Sequence, residues 1–412
     1  MTQPTVQQAM QAYLETNRPF YLQLLRQMVE MNSFTANPVG VNTLGRFTAD
    51  VFAGLGFEAE FVPPANPDFG QHLVLTKSGS SGRKIGLVSH LDTVFSPEEE
   101  ARNDFVWREE GGRIYGPGVV DIKGGTVVIY MTLAALKKFT PALYDEMTWV
   151  VLLDAAEERV GRDFAQVCLE RLGEEALACL VFESGAWLKQ TFSLVAARKG
   201  MALYRVLVEG RSAHAGNNHD AGANAIVQLA DLIGRIAALT DYDRHLTFNV
   251  GVVEGGTVTN RVPHYAQARV EMRVFSPEVY QEGVASMLAL PDQATVQSPK
   301  DGHPCRVKVE VADRMPPWPR NKGTDDLLSI WQETAQSLGQ AVKPEERGGL
   351  SDGNFLWSKL PTLDGLGPAG GNLHCSERSE DGSKDQEYVE PGSLAPKALL
   401  NALSILRLIE KS

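Results

Sequence analysis

The sequence predicts an α/β fold in which a mostly parallel sheet, with helices on both faces, is interrupted by a smaller α+β unit. In the first part of the chain, helical segments alternate with continuous apolar runs, typical of strands buried on both faces, at 84–88, 147–154 and 180–182. After Arg198 the order changes to βαββαβ, and the α/β pattern resumes after Pro316 and Pro317. We therefore expect a larger domain formed by residues 1–197 and 314–412, with an inserted unit at residues 198–313.

The individual elements follow from the spacing of apolar residues and from the turn residues between them. In the larger domain we predict helices at 4–31, 41–55, 125–139, 163–172, 325–338 and 394–410. Its strands are predicted at 57–62, 71–76, 84–88, 147–154, 180–182 and 360–367. In the inserted unit we predict strands at 201–208, 246–253, 266–275 and 305–311, and helices at 220–240 and 277–290.

The composition is that of an ordinary soluble globular protein, with 43% hydrophobic and 22% charged residues. A formal net charge of -12 disfavours a nucleic-acid or anionic-membrane partner, since both need a basic surface. The sequence contains no apolar signal segment at its start and no apolar run long enough for a spanning helix. The four cysteines lack C-x-x-C spacing, although Cys375 adjoins His374, so we expect reduced thiols in a cytoplasmic protein.

His90 and Asp92 stand at the carboxyl end of the apolar run 84–88, where open α/β sheets place their ligands. Residues i and i+2 of an extended segment point to the same side, so Asp92 can fix the imidazole ring of His90. Metal-binding histidines are usually oriented in this way. By itself the pair is a weak signal, because a buried structural histidine would look the same.

Similar residues recur at the ends of strands and in turns further along the chain. The complete set contains two imidazoles and three carboxylates: His90, Asp121, Glu158, Glu183 and His374. Both groups are good zinc ligands, and one carboxylate can bridge two metals, so the set suits a pair of zinc ions. No thiolate belongs to the set, which argues against a closed structural site. Each residue alone has a simpler interpretation, such as a helix N-cap for Asp121 or a water-facing acid at a strand end.

These motifs resemble those of the di-zinc exopeptidases and deacylases that include bacterial glutamate carboxypeptidase, acetylornithine deacetylase, succinyl-diaminopimelate desuccinylase and aminoacylase. The resemblance covers nearly the whole chain. The matching segments are S-H-L-D-T-V at 89–94, G-P-G-V-V-D-I-K-G-G at 116–125, E-E at 157–158, V-F-E at 181–183 and D-G-L-G-P at 364–368, ahead of His374. The resemblance implies a three-layer zinc-peptidase catalytic domain, interrupted by a lid domain through which two chains form a homodimer.

The resemblance also implies a role for each predicted ligand. Asp121 would bridge two Zn²⁺ ions, for which Co²⁺ or Mn²⁺ could substitute. One zinc site would be completed by His90 and Glu183, and the other by Glu158 and His374. Asp92 would orient His90, and the peptide bond between Asp121 and Ile122 would be cis.

Glu157 is the predicted general base. A water held between two metals about 3.5–4 Å apart becomes a nucleophile near neutral pH. A neighbouring carboxylate can take its proton and later pass it to the departing amine. The alternative for Glu157 is a solvent-facing charge.

Three residues of the inserted unit, together with Arg314 immediately after it, are candidates for contact with the substrate. His214, in the segment R-S-A-H-A-G at 211–216, resembles a lid residue that polarises the scissile carbonyl from the other subunit; the alternative is a turn histidine. Asn260 and Arg273 resemble binders of the substrate carboxylate, which the planar guanidinium of arginine contacts in bidentate fashion. Arg314 is a candidate for binding a second acidic group, although a surface arginine is the commoner outcome.

The chain departs from the family pattern at Ala156, where an aspartate is usual, at Arg162, where a small polar residue is usual, and at the longer link 375–386. None of these positions is a predicted ligand. The long link begins beside His374 and therefore leaves the substrate preference open.

The leading hypothesis is a zinc-dependent exopeptidase of the glutamate-carboxypeptidase type, which cuts an amide bond next to a free carboxylate of a small peptide. A second hypothesis is an N-acyl-amino-acid deacylase with the same machinery. A third, from another class, is a catalytically silent relative that binds metal or peptide. Such a relative should lack the general base or a ligand, whereas this sequence contains Glu157 and all five candidate ligands.

Overall fold

The computed structural model describes residues 5–159 and 161–412. Its helices are α1 Val6–Thr16, α2 Arg18–Val29, α3 Pro38–Ala53, α4 Pro97–Arg102, α5 Lys123–Phe139, α6 Pro141–Glu146, α7 Arg162–Leu172, α8 Ala225–Ala237, α9 Pro277–Leu288, α10 Lys322–Ser337, α11 Gly353–Leu356 and α12 Leu394–Lys411. Its strands are β1 Glu58–Val62, β2 His72–Lys77, β3 Lys84–His90, β4 Arg108–Glu110, β5 Arg113–Tyr115, β6 Thr148–Asp154, β7 Ala178–Val181, β8 Ala186–Leu188, β9 Thr191–Arg198, β10 Gly200–Glu209, β11 Thr247–Gly255, β12 Tyr265–Val274, β13 Arg306–Met315, β14 Ala341–Arg347, β15 Thr362–Leu363, β16 Gly370–Gly371 and β17 Tyr388–Val389.

The chain forms two compact units. The first contains the residues through Ala196, together with Arg320–Glu346 and Ser351–Ser412. The second contains Ala197–Pro319 and Arg347–Leu350.

The first unit is built on a six-stranded sheet in the order β1-β2-β6-β3-β7-β15. Strand β3 pairs in parallel with β6 and β7, and β15 pairs in parallel with β7, whereas β2 is antiparallel to β1 and β6. Successive residues of a strand point to opposite faces, so Leu87 and Val151 enter one core while Val88 and Val150 enter the other. Helices cover both faces, because α5 and α12 supply the first core and α7 and α11 supply the second. The predicted three-layer α/β class is confirmed.

The second unit has the predicted βαββαβ order. Its antiparallel sheet is arranged β11-β12-β10-β13, and its core is formed by α8, α9 and alternate strand residues such as Tyr204 and Val206. The smaller α+β unit is therefore also present as expected.

The second unit extends beyond residue 313, where the sequence prediction ends it. Strand β13 pairs with β10 as far as Met315 opposite Met201, and the backbones of Trp318 and Arg198 hydrogen-bond to each other. The Arg198 guanidinium also donates to the carbonyls of Gly349 and Leu350, which accounts for the short segment 347–350 in this unit.

The segment 4–31, predicted as one helix, forms the two helices α1 and α2, and its first residue, Pro4, lies outside the described residues. Asn17 ends α1 by donating its backbone N–H to Tyr13 and serves as the N-cap of α2. Pro19 lies in the first turn of α2, where its missing N–H costs no helical hydrogen bond. A continuous helix would place Pro19 in its interior, so the chain restarts instead.

The stretch Pro391–Lys411 is long and apolar enough to cross a membrane by length and composition alone. In the structure 72% of its apolar window is buried, and Leu400 and Ile405 belong to the core of the first unit. The apolar character of this stretch is therefore explained by its position in the core of the first unit.

Candidate metal centre

The predicted ligands meet at one edge of the first unit's sheet. His90 is the last residue of β3, Glu183 follows the end of β7 by two residues, and Glu158 lies in a 3₁₀ turn after β6. These strands run parallel, so their carboxyl ends share an edge, which is where open α/β sheets bind ligands. Asp121, just before α5, and His374, in the loop after β16, reach the same place.

Asp121 lies between the two histidines. Its Oδ1 is 3.2 Å from His90 Nε2, and its Oδ2 is 3.2 Å from His374 Nε2. Glu183 Oε1 lies 3.6 Å from His90 Nε2, and Glu158 Oε2 lies 3.3 Å from His374 Nε2. The five side chains thus form two groups of three that share Asp121, and the ligand atoms of each group lie within 4.8 Å of one another. The peptide bond between Asp121 and Ile122 is cis, as the resemblance implies.

The electrostatics of this cluster fit divalent cations. Burial raises the pKa of Glu157 well above its usual value; the charge of His90 opposes this, and the carboxylates Glu183, Glu158 and Asp121 add to it. Hydrogen bonds to Asp121 and Glu158 raise the pKa of His374 to about 11. Burial and the neighbouring carboxylates keep a proton on Glu157 to a higher pH than usual, and Asp121 and Glu158 do the same for His374. Cations at these two groups would replace the protons and relieve the repulsion.

Asp92 holds the turn that carries the predicted general base. Its two carboxylate oxygens accept the backbone N–H groups of Glu157, at 3.1 Å, and Glu158, at 3.3 Å, and its Oδ2 also accepts the hydroxyl of Thr35 at 2.7 Å. His90 Nδ1 lies 3.0 Å from the backbone carbonyl of Asp92 and 3.4 Å from its carboxylate. Asp92 therefore contacts His90 mainly through its main chain and fixes the Glu157 turn through its side chain.

Glu387 is a site residue that the sequence reasoning did not assign. It is fully buried, and its Oε1 accepts the backbone N–H groups of Val120 and Asp121 at 3.1 and 3.2 Å. Burial raises the pKa of Glu387 to about 8, and the charge of Asp121 contributes. Its only sequence signal is a single acid just before a short strand, which is too common a pattern to reveal that it holds the backbone of Asp121.

The four predicted substrate contacts lie in the second unit, apart in sequence from the five ligands. His214 is exposed, and its Nδ1 accepts the backbone N–H groups of Gly216 and Asn217, both at 3.1 Å. Because Nδ1 is an acceptor, Nε2 carries the proton of the neutral ring and can donate a hydrogen bond. This turn gives His214 the tautomer that polarising a carbonyl oxygen requires.

The other three candidates have different surroundings. Asn260 is exposed, and its backbone carbonyl accepts the N–H of Ala215, which ties it to the loop after His214. Arg273 donates through Nε to Glu271 at 2.6 Å. Arg314 is half-buried, and its backbone N–H donates to the side chain of Asp313.

Two groups of candidate metal ligands at the carboxyl edge of a parallel sheet are typical of a metal-dependent α/β enzyme. The chain belongs to peptidase family M20/M25/M40, whose sequence model matches residues 86–390. The family suggested by the sequence motifs is thereby confirmed.

The relatives of this chain include both peptidases and deacylases. The chain is 27% identical to carboxypeptidase G2 of Pseudomonas sp. (strain RS-16) over 95% of this chain and 90% of that protein. It is 29% identical to the succinyl-diaminopimelate desuccinylase of Bordetella petrii over 91% of this chain and 94% of that protein. The aminopeptidase PepT structure from Bacillus cereus matches with a TM-score of 0.76 at 23% identity, over 95% of this chain and 99% of that one, a likeness of fold.

Proposed function

We propose that this chain is a zinc-dependent exopeptidase of the glutamate-carboxypeptidase type, which hydrolyses an amide bond next to a free carboxylate and releases a C-terminal amino acid. The observation that carries the proposal is the position of Asp121, whose two carboxylate oxygens face His90 and His374 respectively. A carboxylate shared in this way is suited to a two-metal site. Similarity to carboxypeptidase G2 over 95% of the chain supports the substrate class.

Two Zn²⁺ ions would be held by the two groups of three that share Asp121, and Co²⁺ or Mn²⁺ could substitute. When bound, such a pair activates a water and polarises the scissile carbonyl. Glu157 would take a proton from the attacking water and deliver it to the departing amine. Asp92 keeps Glu157 in place for both transfers, because it holds the backbone of the turn.

His214, supplied by the other subunit of a homodimer, would donate a hydrogen bond from its Nε2–H to the carbonyl oxygen. Asn260 and Arg273 would bind the free carboxylate of the substrate, and Arg314 a second acidic group. Support for these roles comes from the family resemblance and, for His214, from the hydrogen bonds that set its tautomer. A homodimer formed through the second unit and a cytoplasmic location belong to the same proposal.

A mixing experiment tests whether the site is shared between subunits. His214→Ala and Glu157→Gln chains, each inactive alone, should regain about one quarter of wild-type activity after subunit exchange, because half of the dimers are mixed and each has one intact site. Mixing Glu157→Gln with the double variant is the matched control, since no dimer in that mixture has an intact site. No regained activity, with exchange verified by mass, would show that His214 does not act across the dimer.

An N-acyl-amino-acid deacylase is the second candidate function, favoured by the similarity to a succinyl-diaminopimelate desuccinylase. Both candidates cut an amide bond and differ in the group on its acyl side. A panel of peptides and N-acyl amino acids that share a C-terminal glutamate separates them. Higher kcat/KM for the acyl series would replace the exopeptidase proposal with the deacylase.

Removing the metal should abolish activity and lower stability. Dialysis against a chelator is expected to eliminate turnover, and Zn²⁺, Co²⁺ or Mn²⁺ should restore it. A ligand that binds only the folded state at 1,000 times its Kd adds about 4 kcal/mol to the free energy of unfolding, so the stripped protein should also melt at a lower temperature. Calorimetry and elemental analysis on the same samples check both results; full turnover without metal would contradict the proposed function.

A further inference from the structure

His72 is a fully buried histidine held between two carboxylates of the first unit. Its Nδ1 lies 3.0 Å from Asp154 Oδ1, and its Nε2 lies 3.1 Å from Asp163 Oδ2. The side chains of His72 and Asp154 are both 0% exposed, while that of Asp163 is 30% exposed. The ring also packs against Phe164, with 5.2 Å between the ring centroids. A buried polar group with two specific partners is fixed in orientation.

The two carboxylates stand at the two ends of one functional segment. Asp154 is the last residue of β6, and Asp163 lies in the first turn of α7. The segment between them contains the 3₁₀ turn Glu157–Arg159, which carries both Glu157 and Glu158. Val160, in the same segment, lies outside the described residues. His72 belongs to a different strand, β2, so it joins the two ends of a segment to which it does not belong.

The hydrogen bonds at the first end continue into the segment. Asp154 Oδ1 accepts the backbone N–H of Ala156 at 2.8 Å, and His72 Nδ1 accepts the backbone N–H of Ala155 at 3.2 Å. Asp92 already holds the middle of the segment through the N–H groups of Glu157 and Glu158. The backbone is therefore held near Asp154 and at Glu157 and Glu158.

The two ring nitrogens of His72 have different hydrogen-bond partners. Asp163 Oδ2 faces Nε2, so Nε2 carries a proton, whereas Nδ1 faces Asp154 Oδ1 and also accepts the backbone N–H of Ala155. Burial alone lowers the pKa of His72, but the hydrogen bonds and charges of Asp154 and Asp163 outweigh it and raise the pKa overall. Burial raises the pKa of Asp154, and the charge of nearby Asp92 adds to this effect.

We propose that His72 is a positioning residue: by joining Asp154 to Asp163, it holds both ends of the segment that presents Glu157 and Glu158. The proposal rests on the functions proposed above for these two glutamates. It differs from a purely structural role, in which loss of His72 would lower stability and leave the chemistry of the folded protein unchanged.

The test compares His72→Asn and Asp163→Asn with a control, His245→Asn. His245 lies in the second unit at a φ of 55°, a conformation that asparagine accepts readily. Loss of a group that orients metal ligands costs about 10- to 100-fold in metal affinity or activity. We expect His72→Asn to lower kcat by that factor, with KM changed less than about threefold, and to weaken zinc binding measured by competition with a chromophoric chelator. The control should match wild type in every measurement.

Asp163→Asn keeps the imidazole in place and changes a partly exposed residue, so it decides the question if His72→Asn does not fold. We expect smaller losses of kcat and zinc affinity than for His72→Asn, because the asparagine amide oxygen can still accept a hydrogen bond from Nε2–H. A folded variant at either position with wild-type kcat and zinc affinity, whatever its melting temperature, would overturn the proposal.

A measurement without substrate separates failure of this inference from failure of the proposed function. In zinc-loaded protein labelled at histidine ¹³Cε1, the His72 signal is assigned by its absence from His72→Asn. Its titration midpoint should lie above about 6.5, the ordinary value for histidine. A midpoint at or below that value would contradict the doubly hydrogen-bonded arrangement. If the wild-type enzyme cleaves no tested substrate, the zinc-affinity and titration results still decide the role of His72.

Discussion

Replacing Glu157 by glutamine should reduce kcat by about 100- to 10,000-fold, the contribution of a positioned general base. The amide keeps the shape of the side chain and cannot take a proton from water. The ligand atoms of both three-residue groups remain, since Glu157 belongs to neither, so the zinc content should stay at the wild-type value. Steady-state kinetics and elemental analysis on one preparation check the two halves of this prediction.

Glu174→Gln provides the matched control for this variant. Glu174 begins another pair of adjacent acids, Glu174 and Glu175, and both are exposed. The same chemical change there should leave kcat unaltered. If Glu157→Gln turned over substrate at the wild-type rate, the proton transfer would have to be assigned to another group.

Replacing Asp121 by asparagine should disrupt both metal sites together. Each oxygen of Asp121 faces one histidine, so a single substitution alters both groups of three. We expect zinc binding at each site to weaken by more than about 100-fold, the upper end of the effect seen when groups supporting a metal site are changed, and turnover to be lost. Zinc stoichiometry by titration is the direct measurement.

Glu183→Gln is the control variant with which the zinc stoichiometry of Asp121→Asn is compared. Glu183 belongs to the group of His90 alone, so this variant should retain one zinc, held by Asp121, Glu158 and His374. If Asp121→Asn and Glu183→Gln lost the same amount of zinc, Asp121 would not be a shared ligand.

Much of the fold and the composition of the candidate site could be predicted from sequence, because both depend on local patterns. Continuous apolar strands such as 147–154 predict a buried parallel sheet, and the polar residue at the end of each strand is then brought to one edge. Proximity of His90 and Glu183 follows from that topology, because both stand at the carboxyl ends of parallel strands. Asp121 and His374 lie outside these strands, and only the family resemblance predicted that they join the site.

The supporting residues could not be predicted in the same way. His72 lies at the start of β2 with no motif around it, and its importance depends on Asp154 and Asp163, which are 82 and 91 positions further along the chain. Glu387 likewise acts on the backbone of Asp121 from a distant segment. Side chains that hold a backbone in place leave no periodic pattern in the sequence. The break between α1 and α2 at Asn17 was not predicted either, because the helical spacing of apolar residues continues through it.

The exposed cysteine beside His374 has a practical use. Cys168, Cys179 and Cys305 are buried, whereas Cys375 is open to solvent. A maleimide fluorophore under mild conditions should therefore attach at this one position. Since the backbone of Cys375 forms hydrogen bonds with Asn372 and Glu387, the dye would be anchored on a well-held loop next to His374, a proposed metal ligand. Its emission could then follow metal uptake in real time, without any substrate.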